Sequence, residues 1–499
     1  MTATGGRAAV AAAGTRAAAD HGAPWLLVAM LLTAAVLRLM HLDTELWFDE
    51  IATLTDYVTL PLAKIPFTYD SQNQHPLYSL LARVAYVATD GAAWSIRLPA
   101  VLFGVASLWA TYWLARQIAS RAEALLAVLV LSFSYHHVWF SQNARGYTAM
   151  LFFTVIATGL FVRLAEGTPS RPARLAWIYG AVMALATYTH LTAALVAVGH
   201  ALALILSVAW RRNGRVIDAL RWPVVALVAS ALLTVALYAP VLPDLVRVLL
   251  EPTMGGVAVE WTSGRWMLLE TVRVLGAGVP GGVPVVLAAG AILVIGMVSY
   301  WRQSRLLVLA CVCPIAVTAA TMLALQHNLW PRFFFFAASF IVLFALRGGF
   351  VIVRALLPRV GDRVAVVGAV LVAAVSALTV PRAWQPKQQL YAAADFVESQ
   401  RAPGDAVAAL DMAANAYRGH RTPPGWLLTD SLEDLQALER TSTRTWVVYI
   451  FPTRLRAAFP ELAAHVTQST LYREVRVFPA TVGGGEVRVL LHDSGPAHD

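Results

Sequence analysis

The sequence predicts an all-α membrane domain with many spans, followed by a small C-terminal α/β domain. Hydrophobic residues make up 58% of the 499 residues and charged residues only 13%, about half of the roughly 25% usual in globular proteins. Many apolar runs are long enough to cross about 30 Å of hydrocarbon at 1.5 Å per residue. Beyond residue 382 the pattern changes to short alternating segments. Such a chain lacks the polar surface that several soluble cores would need.

About eleven apolar runs are predicted to span the membrane. They cover residues 23–41, 98–115, 122–140, 148–165, 175–189, 191–210, 222–240, 281–300, 306–325, 333–350 and 364–381. Residues 1–22 are Ala-rich and contain Arg7 and Arg16, and we interpret them as a disordered cytoplasmic start. A cleaved signal peptide fits less well, because the following apolar run is long and no small-residue cleavage site comes after it.

Segment 76–90 decides the sidedness of the chain. It is apolar but short, and Arg83 stands in its middle. If it lies flat in the outer interface, the basic connections fall on the cytoplasmic side, as the positive-inside rule requires. Those connections contain Arg116, Arg121, Arg163, Arg171, Arg174, Arg211, Arg212, Arg215, Arg221, Arg302, Arg305, Arg347, Arg354, Arg359 and Arg363. The N-terminus is then cytoplasmic and the C-terminus extracytoplasmic.

With this orientation, the outer face carries three loops and a tail. The first outer loop is 42–97, the second is 141–147, and a third covers 241–280. The tail, 382–499, contains a helix-like YAAADFVESQ and the strand-like segments DAVAALD, TWVVYIF, YREVRVF and GEVRVLL. Alternating apolar residues of this kind favour half-buried strands. We therefore predict a transmembrane domain over 23–381 and an extracytoplasmic α/β domain over 382–499.

Charge and cysteine content exclude other classes of protein. The formal charge is +9, and nearly half of the Lys and Arg residues lie in short loops between apolar runs. This distribution is typical of topological charge and does not indicate nucleic-acid binding. Cys311 and Cys313 stand in one apolar run, on different sides of a helix. A structural disulfide is therefore not expected, and membrane lipids are the predicted surroundings.

The polar residues that solvation explains poorly all fall at the predicted outer boundary. Ionisable groups near membrane depth usually pair with one another or mark a substrate path. The segments are LWFDE with Asp49 and Glu50, QNQHPLYSLL with His75 and Tyr78, WFSQNARGYTAM with Gln142, Asn143, Arg145 and Tyr147, TYTH with Tyr188 and His190, and QHNLWPRFFFF with His327 and Arg332.

Each of these residues also has an ordinary structural interpretation. The two carboxylates could open an interfacial helix, since acidic groups suit a helix N-terminus. Arg145 and Arg332 could reach lipid headgroups, as arginines at span ends often do. His75 could be a turn residue before a proline, and His190 and His327 ordinary boundary histidines. Their joint occurrence on one membrane face favours a site.

The residue types indicate a single displacement at a phosphate-linked sugar. Adjacent side chains point in different directions on a regular backbone, so Asp49 and Glu50 are not the facing pair of a glycosidase. One carboxylate acting as base fits better, with its neighbour holding the structure or the substrate. Arginines from other loops match phosphate oxygens in bidentate geometry and would stabilise an anionic leaving group.

At these residues the sequence resembles the C-type membrane glycosyltransferases. The resemblance is to the bacterial branch related to protein O-mannosyltransferases and lipid A aminoarabinose transferases, and it covers roughly residues 23–400. It rests on the order of five motifs: LWFDE (46–50), HPLY (75–78), RLPAVLFG (97–104), SQNARGYTAM (141–150) and YTH (188–190). It implies the C-type fold, a polyprenyl-phosphate-linked sugar donor, inversion at the anomeric carbon and an active site facing away from the cytoplasm.

The resemblance also implies roles for individual residues. Asp49 corresponds to the catalytic aspartate and Glu50 to its companion. His75 falls in a stretch where relatives read His-Pro-Pro, although here Leu77 replaces the second proline, and Gly146 replaces the proline that follows the Arg145 position in many relatives. These departures weaken the assignment of the donor pocket.

We therefore predict a hexosyl- or pentosyltransferase on the outer face of a bacterial plasma membrane. Asp49 and Glu50 are the predicted catalytic residues, and the acceptor hydroxyl belongs to a protein, a lipid or a cell-wall glycan. The predicted donor-phosphate ligands are Arg145, Arg332, His75 and Tyr78, and the predicted substrate contacts are Gln142, Tyr147, His190 and His327.

Several points stay open in the sequence. The sugar could be mannose, arabinose or an amino sugar. No cofactor is predicted and no metal-ligand spacing stands out, although dependence on a divalent metal stays open. A transporter or flippase for lipid-linked sugars, or a non-catalytic binder of them, is the alternative. Polar groups at the outer edge count against a transporter, where they usually lie near the midplane.

Overall fold

A computed structural model describes residues 24–209, 216–250, 259–278, 282–468 and 470–493. The predicted disordered start, 1–22, lies outside these residues. So does the basic connection with Arg211, Arg212 and Arg215, and so do the last six residues of the chain.

The membrane region consists of helices with short connections. In chain order they are α1 (Pro24–Leu39), α2 (Phe48–Ala52), α3 (Pro76–Ala88), α4 (Leu98–Ile118), α5 (Arg121–Ser132), α6 (Tyr135–Ser141), α7 (Tyr147–Glu166), α8 (Pro172–Thr189), α9 (Ala194–Val208), α10 (Val216–Tyr238), α11 (Leu242–Leu250), α12 (Gly264–Gly278), α13 (Gly282–Trp301), α14 (Arg305–Ala324), α15 (Ala338–Leu356), α16 (Gly361–Ala377) and α17 (Val380–Ala383). Each of the eleven predicted spans coincides with one of these helices or, for 122–140, with the pair α5 and α6.

The chain is a multi-pass membrane protein. Seven of the described helices are long and apolar enough to cross a membrane, or eight if α5 and α6 form one broken span. Helices α1 and α3 are apolar but shorter. The count of eleven spans and the orientation of the termini stay predictions.

The break between α5 and α6 positions the second outer loop. The two helices are bent by 64°, and Ser134 caps α6 by accepting a hydrogen bond from the backbone N–H of His137 at 3.4 Å. A serine at this position satisfies one of the unpaired N–H groups of the new helix. The chain then leaves α6 at Ser141 and enters α7 at Tyr147, so residues 142–146 form a tight loop between two buried helix ends.

The C-terminal domain is a five-stranded mixed sheet with helices. Its strands are β1 (Asp405–Leu410), β2 (Leu427–Thr429), β3 (Arg444–Tyr449), β4 (Tyr472–Phe478) and β5 (Val487–Asp493), in the order β2-β1-β3-β5-β4. β1 is parallel to β2 and β3, and β5 is antiparallel to β3 and β4. The helices are α18 (Leu390–Gln400), α19 (Met412–Gly419), α20 (Leu432–Thr441), α21 (Pro452–Ala458) and α22 (Pro460–Thr467).

The two faces of this sheet pack against different neighbours. Val407 and Ala409 of β1 belong to the same buried core as Leu46 and Trp47 of the first outer loop. The alternate residues Ala408 and Leu410 face α20, α21 and α22. Successive side chains of a strand point to opposite faces. One face of the sheet therefore packs against the membrane region, and the other packs against the domain's own helices.

Candidate active site

A short helix holds the adjacent carboxylates of the first outer loop. Helix α2 begins at Phe48 and continues into a π-helical turn over Thr53–Val58. Asp49 and Glu50 lie in its first turn, where carboxylates are favoured by the helix dipole. The Glu50 side chain is fully buried, whereas the Asp49 side chain is 14% exposed. The two carboxylates therefore have different surroundings, as their adjacent positions predict.

Glu50 forms a buried ion pair with Arg97. The guanidinium donates from Nε to Oε1 at 2.9 Å and from Nη2 to Oε2 at 2.5 Å, and the backbone N–H of Ala144 donates to Oε1 at 2.8 Å. Burial by itself raises the pKa of the Glu50 carboxyl, but Arg97 and Lys387 outweigh it and hold that pKa below its usual range. Glu50 thus connects the first and second outer loops as a charged anchor.

Arg332 faces Asp49 across the site. Its Nη1 lies 3.8 Å from Oδ2 of Asp49, and the guanidinium lies 5.9 Å from the ring centre of Trp47 and 4.8 Å from that of Trp330. The Nε atom of Arg332 is buried and has no hydrogen-bond partner in the described structure. The guanidinium therefore keeps hydrogen-bonding capacity beside the Asp49 carboxylate.

Arg145 reaches the same region from the second outer loop through Asn73. Its Nη1 donates to the backbone carbonyl of Asn73 at 2.9 Å and to the Oδ1 of the same residue. Asn73 in turn donates from Nδ2 to the backbone carbonyl of Asp49 at 3.3 Å. Arg145 is 5% exposed, and its buried Nε has no partner among the described residues. Asn73 therefore connects the second predicted phosphate ligand to helix α2, which carries Asp49.

His75, His190 and Tyr147 form a cluster of rings next to Arg145. The ring centres of His75 and His190 are 4.6 Å apart, and those of Tyr147 and His190 are 5.0 Å apart. His75 donates from Nδ1 to the backbone carbonyl of Thr189 at 2.8 Å, which leaves its buried Nε2 unpaired in the described structure. Burial, with Arg145 nearby, lowers the pKa of His75 well below its usual range. His75 is therefore neutral, and Nε2 is free to accept a hydrogen bond.

Three other predicted site residues bind the protein itself. The hydroxyl of Tyr78 donates to the carbonyl of Ile96 at 2.7 Å. The amide of Gln142 donates to two backbone carbonyls at the C-terminal end of α1, those of Arg38 and Met40. Both side chains are buried, so their contacts give no support to a role in binding phosphate or substrate. His327 shares a hydrogen bond of 2.9 Å with Gln72, at the rim of the first loop.

Sequence reasoning missed two residues that hold the loops together. Asn73 stood inside a quoted motif without a role, and Lys387 lies far along the chain. The Nζ of Lys387 donates to the carbonyl of Gln142 at 2.6 Å, and the side chain is 2% exposed. Burial lowers the pKa of Lys387 to about 7, against the opposing effect of Glu50. Only the fold brings this lysine to the second loop, so no local sequence signal identifies it.

Within the described ranges, no three His, Cys, Asp or Glu side chains are grouped closely enough to hold a metal ion. The dependence on a divalent metal therefore stays an open prediction.

Comparisons with known proteins identify the fold. A protein family described as dolichyl-phosphate-mannose-protein mannosyltransferase matches residues 73–242, a segment that contains His75, Arg145 and His190. A search of the curated proteins found no match.

The solved structures that resemble most of this chain include the following two. The archaeal oligosaccharyltransferase AglB from Archaeoglobus fulgidus, in complex with an inhibitory peptide and a dolichol-phosphate, aligns with a TM-score of 0.54 and 13% identity over 93% of this chain and 74% of its own. ArnT from Cupriavidus metallidurans bound to undecaprenyl phosphate aligns with a TM-score of 0.52 and 13% identity over 95% of this chain and 99% of its own.

The architecture and these likenesses define a class of membrane protein with the C-type glycosyltransferase fold. Within that class, the fold resembles that of ArnT, and residues 73–242 match the protein mannosyltransferase family.

Proposed function

We propose that this protein is an inverting glycosyltransferase. It moves a sugar from a polyprenyl-phosphate donor to an acceptor hydroxyl on the extracytoplasmic face of a bacterial plasma membrane. One observation carries the proposal: the partly exposed Asp49 carboxylate faces Arg332 at 3.8 Å. The family match supports it, as do the dolichol-phosphate and undecaprenyl phosphate named for the two similar structures.

In this mechanism Asp49 is the general base. A carboxylate oxygen accepts the proton of the acceptor hydroxyl while the hydroxyl oxygen forms a bond to the anomeric carbon. The bond from that carbon to the phosphate oxygen breaks, and its electron pair leaves with the polyprenyl phosphate. Such proton transfer contributes roughly 10²–10⁴ in rate. No separate acid is needed, because the phosphate leaves as a stabilised anion.

The two arginines stabilise the departing phosphate. Arg332 and Arg145 approach from different loops, and each keeps a buried, unpaired Nε in the described structure. Guanidinium groups bind phosphate oxygens in bidentate geometry, and binding that strengthens as charge develops accelerates the reaction. Arg332 lies beside Asp49, and Arg145 bonds to Asn73, which bonds to the backbone carbonyl of Asp49. These contacts support a phosphate that binds near the proposed base.

The remaining residues position these groups. Neutral His75 offers Nε2 as an acceptor for a donor hydroxyl, with Tyr147 and His190 as ring neighbours. Glu50 acts through Arg97 and the second loop and does not touch the acceptor, because its carboxylate is fully buried. The choice of sugar depends on contacts other than those of the residues named above.

The direct test is transfer by the purified chain in nanodiscs. Radiolabelled polyprenyl-phosphate mannose, arabinose and amino sugars are supplied with a membrane extract as acceptor. We expect one donor to be consumed and Asp49→Asn to lose roughly 10²–10⁴ in rate. The matched control is Asp362→Asn, at a carboxylate that is 68% exposed and paired with Arg354, and it should transfer like the wild type. An Asp49→Asn variant that keeps full turnover would show that Asp49 is structural.

Arg145→Ala separates donor binding from base catalysis. Because Arg145 is proposed to hold the phosphate, its loss should weaken donor binding at least tenfold, or about 1.4 kcal/mol. Donor binding is measured with the Asp49→Asn background so that no turnover interferes. An unchanged dissociation constant would remove Arg145 from the phosphate site.

A further inference from the structure

A cavity that does not include Asp49 lies between α12, residue Trp330 and the C-terminal domain. Its volume is about 130 Å³, and its walls include Trp261, Trp266 and Trp330 on one side and Phe451 and Gly483 on the other. One water molecule needs about 10–15 Å³ of such volume, so the cavity has room for a small ring.

Three indole rings form one wall of this cavity. Trp330 lies 4.9 Å from Trp261 and 5.2 Å from Trp266 between ring centres, at interplanar angles of 52° and 89°. The backbone N–H of Leu329 donates to the carbonyl of Trp261 at 2.9 Å, which fixes the two chain segments that carry these rings. Differently oriented aromatic faces in a fixed frame suit a ligand with an apolar face and a polar edge.

A charged pair completes the polar side. Arg273 donates from Nε and Nη2 to the two carboxylate oxygens of Glu270, at 2.7 and 2.5 Å. A Cβ atom on Gly483 would lie 2.3 Å from Oε1 of Glu270, so this loop of the C-terminal domain lies directly against the pair. The cavity therefore presents fixed hydrogen-bond acceptors and donors next to the indole wall.

The cavity adjoins the proposed catalytic groups. Arg332 lies 4.8 Å above the Trp330 ring and 3.8 Å from Asp49. On the opposite wall, Phe451 contacts Phe48, the neighbour of Asp49, at 6.4 Å between ring centres. The cavity wall and Asp49 therefore share two neighbours, Arg332 and Phe48.

We infer that this cavity is the acceptor subsite and that the acceptor is a carbohydrate. This inference rests on the proposed glycosyl transfer. The C–H face of a sugar ring would stack on the indoles, and its hydroxyls would bond to Glu270 and Arg273. Glu270 and Arg273 already bond to each other, but their remaining donor and acceptor positions can bond to sugar hydroxyls, whereas an acyl chain would gain nothing from them.

The test is saturation-transfer NMR with soluble hexasaccharides and the full chain in nanodiscs. The probes are mannohexaose, arabinohexaose and cellohexaose, with a Ser/Thr-rich dodecapeptide added in a separate experiment. We expect one hexasaccharide to bind and Trp266→Ala to weaken that binding at least tenfold. Trp177→Ala is the matched control, since Trp177 lies on α8 and is 54% exposed. Arg273→Gln provides a second variant at a side chain that is 55% exposed, in case Trp266→Ala does not fold.

Binding is repeated in the Asp49→Asn variant, where it should persist, so that this inference is separated from the catalytic proposal. Hexasaccharide binding that Trp266→Ala or Arg273→Gln weakens supports the subsite whatever the transfer assay shows. Transfer without hexasaccharide binding, or saturation of the peptide alone, would overturn the subsite and leave the proposed transferase standing. Binding that neither variant changes would also overturn it.

Discussion

The two adjacent carboxylates of the first outer loop differ in burial, and this difference separates their roles. Glu50 and Arg97 form a fully buried pair, and removing one partner of such a pair typically costs about 3–5 kcal/mol because the other charge stays buried and unpaired. We expect Glu50→Gln to lower the midpoint of thermal unfolding in detergent by many degrees and to lose activity together with the fold.

A surface pair provides the comparison for that experiment. Arg354 and Asp362 form an ion pair with both side chains largely exposed, and exposed pairs are worth only about 0–1 kcal/mol. Asp362→Asn should therefore leave the unfolding midpoint almost unchanged. A Glu50→Gln variant with normal stability and no transfer would contradict the positioning role and return Glu50 to the catalytic residues.

Lys387 predicts a pH dependence of stability. Its pKa is lowered by burial from 10.5 to about 7, so between these values the unfolded chain binds a proton that the folded chain does not. The free energy of unfolding then rises with pH across this window and is flat below pH 7. We expect the unfolding midpoint of the wild type, relative to Lys387→Met, to increase between pH 7 and pH 9. A constant difference between the two proteins would show that Lys387 does not titrate there.

Close packing of helices α13 and α15 depends on two glycines. A Cβ atom on Gly296 would lie 1.8 Å from the carbonyl oxygen of Phe344, and one on Gly348 would lie 1.9 Å from that of Ile292. Small residues at such crossings let membrane helices approach closely. Gly348→Ala should therefore force the helices apart, destabilise the protein by about 1–3 kcal/mol and, because α15 follows the segment with Arg332, reduce transfer.

The neighbouring glycine is a matched control for this pair. Nothing lies within 4 Å of a Cβ atom placed on Gly349, and alanine has the higher helix propensity by up to about 1 kcal/mol. Gly349→Ala should keep or raise the unfolding midpoint. Equal losses in the two variants would mean that the helix backbone, and not the crossing, is sensitive to the added methyl group.

The elements that sequence predicts well are those with a long, local signal. Apolar length identifies the helices of the eleven predicted spans, alternation identifies β1, β3, β4 and β5, and the helix-like segment YAAADFVESQ identifies α18. Strand β2 was missed because its three residues, Leu427–Thr429, are too short to show a period. The 64° bend between α5 and α6 was missed as well, because a continuous apolar run does not show where a helix changes direction.

Sequence analysis could predict only those residues of the candidate site that lie in recognisable motifs. The motifs pointed to Asp49, Arg145 and His75 because each stands in a short segment that the family resemblance covers. Asn73 and Lys387 could not be found in this way, since they act through contacts with residues 72 and 245 positions away. Burial also distinguishes structural residues from site residues where motifs do not, since the buried Tyr78 and Gln142 bond to backbone carbonyls of the protein itself.

At the scale of the whole molecule, the C-terminal domain and the membrane region share a core. Val407 and Trp446 of the sheet are buried in one cluster with Leu46 and Ile51 of the first outer loop. A hydrogen bond also connects the two regions, since the side chain of Gln388 accepts from the backbone N–H of Phe48 at 2.9 Å. A domain that covers the helix of the proposed base in this way is part of the site.

This shared core predicts that residues 387–499 do not fold stably when expressed alone. Without the membrane region, one apolar face of the sheet would meet water, and burial of apolar surface, at roughly 25 cal/mol per Å², is the main source of stability for so small a unit. We expect the fragment to bind a hydrophobic dye and to lack a cooperative unfolding transition, whereas the full chain in detergent shows one. A monomeric fragment that unfolds cooperatively would show that its own helices suffice for stability, and that the contacts with the first outer loop serve the geometry of the site alone.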